Sequence, residues 1–222
     1  MGFDPAWLGP LGRGLILTLE ITGTCIAIGI AFGILLALGR VYGGRIVSIL
    51  CSVYIQFFRG TPLLVQLLMI YYGLPSWGIT LSPFVSGILA LGLNTAAYQA
   101  EYLRGAIQAV EAGQLLAARS VGMTKLQAIR HIILPQAFRL VIPSWSNELI
   151  LMLKYSSIVF SVTLLDLMGA AKRIVSANFA YTQVFLVVAA FYLALVFIIT
   201  QLLRLVERRV RIPGLGTSAE RR

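Results

Sequence analysis

Five ionisable side chains stand within long apolar stretches of this 222-residue chain: Arg59, Glu101, Arg104, Glu148 and Lys154. A charge placed in hydrocarbon is costly, so each must face a bundle interior, a partner chain or a water-filled cavity. Glu101 and Arg104 are three residues apart, share a helical face and can pair with each other. Two roles are open to them: mutual neutralisation that holds a helix end, or a place on a gate or solute path. Asn147, Leu151 and Lys154 follow i, i+4, i+7 spacing, with Glu148 at the border of that face and Ser157 three residues beyond Lys154. Such a stripe could bind a zwitterion, its carboxylate through Lys154 and its ammonium through Glu148, or join two halves of a dimer. Arg59 adjoins Gly60 and Pro62, residues that bend or break a helix, and there freed carbonyls and the arginine could satisfy one another in a structural role.

Catalytic chemistry finds no comparable foundation. There is one histidine, His131, and no grouping of His, Cys, Asp or Glu in the sequence that suggests a metal site or a nucleophile with its base. Cys25 and Cys51 lie in apolar segments and read as small packing residues. The phosphate-binding pattern GxxxxGK[ST] does not occur. The chain is therefore expected to be no enzyme, to bind no cofactor or metal of its own, and to leave any ATP hydrolysis to another polypeptide.

The elements that must position these groups follow from the balance of 59% hydrophobic against 12% charged residues, which belongs to a membrane protein. A crossing helix needs about 20 mostly apolar residues. Five runs qualify, at about 15–38, 46–74, 83–110, 140–165 and 179–203. They predict an all-α transmembrane domain over 15–207, with a short N-terminal segment 1–14 and a tail 208–222. The first run is too long and glycine-rich for a removable leader and is expected to remain. The second exceeds one straight crossing, and Gly60 and Pro62 predict a bend or break in it. Gly29 and Gly33 form a G-x-x-x-G pair that permits close helix contact.

Charge sets orientation. Of 18 Lys and Arg, twelve fall in the turn after the first run, the loop after the third and the tail; three (Arg13, Lys172, Arg173) fall on the opposite side, and three within the apolar runs. The positive-inside rule then puts the N-terminus outside and the C-terminus in the cytoplasm. The net charge of +10 thus faces lipid headgroups and fixes topology, with no nucleic acid implied.

The loop 111–136 is patterned. Gln114 to Val121 favours a helix stopped by Gly122, and Thr124 suits the N-cap of a second short helix through His131. The small face of Ala117, Ala118 and Gly122 would admit another protein, with Arg119, Lys125 and Arg130 placed to pair with its acids. The alternative is an amphipathic helix resting on headgroups.

Ala117-Ala118, Gly122, Ile132 and Leu134-Pro135 resemble the EAA loop of bacterial ABC-importer permeases. With Arg59-Gly60-Thr61-Pro62-Leu63-Leu64-Val65-Gln66, Tyr98-Gln99-Ala100-Glu101-Tyr102-Leu103-Arg104-Gly105-Ala106, Ile133-Leu134-Pro135-Gln136-Ala137, Asn147-Glu148 with Lys154, and Glu207-Arg208-Arg209, nearly the whole chain is similar to the polar amino-acid permeases of the type I family, the histidine, glutamine and arginine group. The resemblance implies a coupling helix that docks in an ATP-binding subunit through Leu116, Ala117, Ala118, Arg119 and Gly122. It also implies a second permease chain, identical or related, an extracytoplasmic substrate-binding protein, and a location in a bacterial or archaeal inner membrane. ATP would be used by the partner. The substrate path would draw on Glu101, Arg104, Asn147, Glu148, Lys154 and Ser157, and Ser146-Asn147-Glu148 leans towards basic amino acids. Two positions depart from the family pattern: Leu116 replaces the glutamate that names the loop, and Tyr155 replaces an acidic or small polar residue after the lysine. An ion-coupled secondary carrier or channel would use Glu101 and Glu148 as well and is the rival reading.

Overall fold

The computed structural model describes residues 4–110 and 112–210, and all regular structure among them is helical. Residues 1–3, Glu111 and the tail beyond Val210 lie outside the described residues, so most of the expected tail is not placed. Helix α1 spans Leu8–Tyr42, 35 residues or about 52 Å at 1.5 Å per residue, longer than the expected 15–38. Its partner is α4, Pro83–Ala109, opened by Ser82, whose Oγ accepts from Val85 N at 3.3 Å, and by proline in the first turn. Helix α4 occupies the centre, packed by α1, α2, α3 and α7.

The α1–α4 contact depends on absent side chains. A Cβ on Gly29 would stand 2.5 Å from Thr95 Cγ2, and one on Gly33 would stand 3.1 Å from Ala100 N. Opposite them α4 presents Ala96, Ala97 and Ala100, all fully buried. The G-x-x-x-G pair therefore lets two backbones approach as larger residues would forbid.

The second expected span is two helices, α2 (Arg45–Gly60) and α3 (Leu63–Leu68), the latter extended by a π turn Met69–Gly73 and a 3-10 turn Leu74–Trp77. They meet at 103°. Pro62 drives the break by holding Thr61 extended, at φ −114° and ψ 145°. The expectation that Arg59 repairs this break is corrected: Gln66 Nε2 and Asn94 Nδ2 each donate to Phe58 O at 2.9 Å, and Asn94 donates to Gln66 Oε1 at 3.0 Å. Short amides on fixed helices do the repair, which leaves the arginine free to reach elsewhere.

Helix α5 (Ala112–Ser120) ends at Gly122, whose φ of +86° is the left-handed conformation expected there. Thr124 then opens α6 (Lys125–Ala128) with a reciprocal capping box to Gln127. This helix does not stop at His131. It runs through a π turn, Ile129–Ile133, into α7 (Leu134–Tyr155), with Pro135 directly after the π turn in the first turn of α7. The fourth run so begins earlier than 140 and leaves the α-helical path at Tyr155, continuing as a 3-10 stretch Ser156–Val162.

An unexpected helix follows. Thr163 turns at φ 68°, and Asp166 caps α8 (Leu167–Asn178) by accepting from Gly169 N at 2.9 Å and Met168 N at 3.3 Å. Leu167 N donates to Thr18 Oγ1 at 3.0 Å, fixing α8 to α1. Phe179, at φ 55°, ends it, and α9 spans Tyr181–Val210 with Val184 and Val188 as its buried residues. Two segments, Pro5–Tyr42 and Tyr181–Val210, are helices long and apolar enough to cross a membrane, and each of two bent pairs could add a span. A count of five further includes α4, whose length suffices but whose polar residues dilute its apolar character.

Gly29→Leu should lower stability by about 1–3 kcal/mol through overpacking against Thr95 and Gln99. Gly23→Leu, with open space around its Cβ, is the control. Thermal melting of the detergent-solubilised protein reads both, and equal melting points would refute the close α1–α4 approach.

Candidate functional site

Glu101 is the meeting point of three arginines from three helices. It pairs with Arg40 of α1, with Arg104 one turn along α4 at 2.9 Å, and with Arg59 at the end of α2 at 3.6 Å. Arg104 also donates to Gln108 Oε1 at 2.6 Å, and Arg59 lies over the Tyr98 ring, 5.2 Å from its centroid. The expected Glu101–Arg104 pair exists, but it belongs to a four-residue cluster that the local spacing could not reveal. One carboxylate against three guanidinium groups leaves the cluster net positive. Arg40 lies in the last turn of α1, and Glu101 and Arg104 lie in the last third of α4.

Glu148 lies one step away. It is 4% exposed, and its two oxygens accept from Thr95 Oγ1 at 2.8 Å and Tyr102 Oη at 3.2 Å, both on α4. Tyr98 and Tyr102 lie 6.5 Å apart by ring centroid and connect the two groups, so a polar path runs from α1 and α2 through α4 to α7. Gln99 extends it, donating to Thr95 Oγ1 at 3.3 Å and leaving its own buried Oε1 without a partner. The signal for Thr95, Tyr98, Gln99 and Tyr102 was in the sequence as i, i+4 pairs of polar groups on α4, beside the charged residues that drew attention.

The stripe on α7 divides. Asn147 and Lys154 are exposed on the outside of the chain, Leu151 and Ser157 are half-buried, and Glu148 points into the bundle. Ser157 Oγ donates to Lys154 O at 2.7 Å. Lys154 makes no ion pair among the described residues, so Lys154 and Glu148 are not gathered into one pocket within this chain.

In the α5–α6 segment Leu116, Ala117, Arg119 and Gly122 are exposed, but Ala118 is 6% exposed. The small outward face expected there is thus reduced by one residue, because helical spacing turns Ala118 inward beside half-buried Leu115. Lys125 is also tied locally, its Nζ 6.0 Å from the Tyr42 ring centroid. His131 Nδ1 lies 3.0 Å from Gln127 O on the same helix, which is a structural contact. Among the described residues no grouping of His, Cys, Asp or Glu could hold a metal.

Glu101→Gln removes the one negative charge among three cations, and it should cost on the order of 2 kcal/mol given the cluster's partial exposure. Glu101→Asp should lose less. Melting temperatures in detergent measure both, and a Gln variant as stable as the native protein would contradict the cluster's cohesive role.

Residues 29–212 match the family described as binding-protein-dependent transport system inner membrane component. The nopaline transport system permease protein NocM of Agrobacterium fabrum is 38% identical over 218 residues, covering 91% of this chain and 90% of NocM. The octopine transport system permease protein OccM of Rhizobium radiobacter is 38% identical over 220 residues, covering 93% and 90%. Among solved structures, an amino acid ABC transporter with histidines superposes with a TM-score of 0.89 at 40% identity, covering 94% of this chain and 100% of that one. The chain belongs to the binding-protein-dependent transport system inner membrane component family and has the type I ABC-importer permease fold.

Proposed function

We propose that this chain is the membrane-spanning permease subunit of an ATP-driven importer for polar amino acids. The likeness over nearly its full length to an amino acid ABC transporter carries the reading. In the assembly it pairs with a second permease chain, identical or related, about a two-fold axis. Two ATP-binding subunits engage α5 and the Gly122 turn, and an extracytoplasmic binding protein delivers substrate. The basic residues of the α1–α2 turn, the α5–α6 segment and the end of α9 place that side in the cytoplasm and the N-terminus outside.

The fold suggests how the motor acts. Lys125–Val162 is one helical run, so a displacement of α5 and α6 would be passed along it to Glu148, about 35 Å away. Glu148 is hydrogen-bonded to α4, and Glu101 locks α4 to α1 and α2. Rocking α7 against that block would open and close a path shared with the second chain, on which Asn147 and Lys154 face outward, Ser157 is half-buried beside Lys154, and Glu101 and Arg104 stand near the inner end. A basic substrate remains the favoured type: Glu148 would meet a cationic group once α4 and α7 part.

In proteoliposomes holding the whole complex, Gly122→Arg should abolish ATP-driven uptake, because the left-handed φ and the close docking both suit glycine. The protein should still insert. Undiminished uptake would count against docking at this turn, and uptake that survives without ATP but collapses with an ion gradient would establish the carrier reading instead. Glu148→Gln should reduce uptake of a cationic amino acid several-fold more than that of a neutral one; equal losses would remove the basis for the substrate preference.

A further inference from the structure

Leu116, Val121 and Leu126 are 71%, 78% and 73% exposed, three large apolar side chains within eleven residues where α5 turns into α6. The inward face of α5 is occupied, since Leu115 and Ala118 pack on the bundle or lie buried. What α5 turns outward is Leu116 amid Ala117, Arg119 and Ser120. That is too narrow an apolar face for a helix lying in a headgroup layer, which needs a broad one. Large exposed apolar groups that lie close together in the chain and are framed by polar and charged residues mark a protein-interaction site. Charge narrows the partner further. Residues 112–147 contain no Asp or Glu, and Arg119 and Arg130 are exposed without ion pairs among the described residues.

Resting on the permease reading above, we infer that Leu116, Val121 and Leu126 are the anchors for the ATP-binding subunit, and that its groove has an apolar floor and an acidic rim facing Arg119 and Arg130. The leucine at 116 then sets pairing specificity. A groove built with a cation to receive a glutamate would hold that cation unpaired against Leu116, so such a subunit is rejected. Placing glutamate at 116 in this chain would not repair its coupling; it would desolvate a carboxylate on an apolar floor.

The permease co-expressed with its own ATP-binding subunit, purified and reconstituted in vesicles, decides this. Leu116→Met, which keeps an apolar side chain of similar size, should retain clearly more of the subunit and of ATP-driven uptake than Leu116→Glu. Leu116→Glu and Arg119→Glu should each release the subunit and lower uptake at least about tenfold, with the permease's own melting point unchanged because both side chains are exposed. Native uptake in Leu116→Glu, or a loss in Leu116→Met as large as in Leu116→Glu, overturns the apolar anchor, and native uptake in Arg119→Glu overturns the acidic rim. Failure of the native permease to retain any ATP-binding subunit overturns the permease reading itself, a result distinct from failure of the variants.

Discussion

Inside a bilayer a polar group without a partner has no water to fall back on, and the fold is arranged around that constraint. Glu101 shows it most directly. Three arginines from α1, α2 and α4 converge on one carboxylate, so these charges are held together. The same demand explains Gln66 and Asn94, which repair the backbone freed at Pro62, and Asp166, which caps α8 from a buried position.

Two kinds of joint result. Between α1 and α4 the contact is backbone against backbone, permitted by Gly29 and Gly33, and small residues there leave little room to slide. Between α4 and α7 it is polar, a buried glutamate held by one threonine and one tyrosine hydroxyl. The first suits a fixed block. The second can exchange partners, and it lies on the helix that continues from the α5–α6 segment, which is where a moving part of a transporter would be sought.

Much of this was legible in the chain. The helical class, the Gly122 stop, the Thr124 cap and the break near Pro62 are local, set by backbone conformations that glycine and proline allow or forbid and by a side chain three residues from its acceptor. Other expectations failed where a local signal met a tertiary answer. Arg59 was assigned to the break beside it, yet long side chains reach across helices, and two amides held by α3 and α4 were nearer the free carbonyl. Helix α8 went unseen although its Asp166 cap is local, because its placement depends on Thr18, which is 149 residues from Leu167. Lys154 and Glu148, adjacent in pattern, part because a helix turns about 100° per residue and the bundle covers only one side.

Sequence alone therefore determined the solvent this protein lives in, most of its helices and the motifs of its family, since hydropathy and short-range capping act through neighbours in the chain. Tertiary structure decided which charges meet. Glu101 gathers Arg40 and Arg59 from 61 and 42 positions away, Glu148 turns inward to Thr95, and Leu116 is left open at the end of the bundle. Those outcomes depend on how helices cross and on what each crossing leaves uncovered, and no spacing within a single helix contains that information.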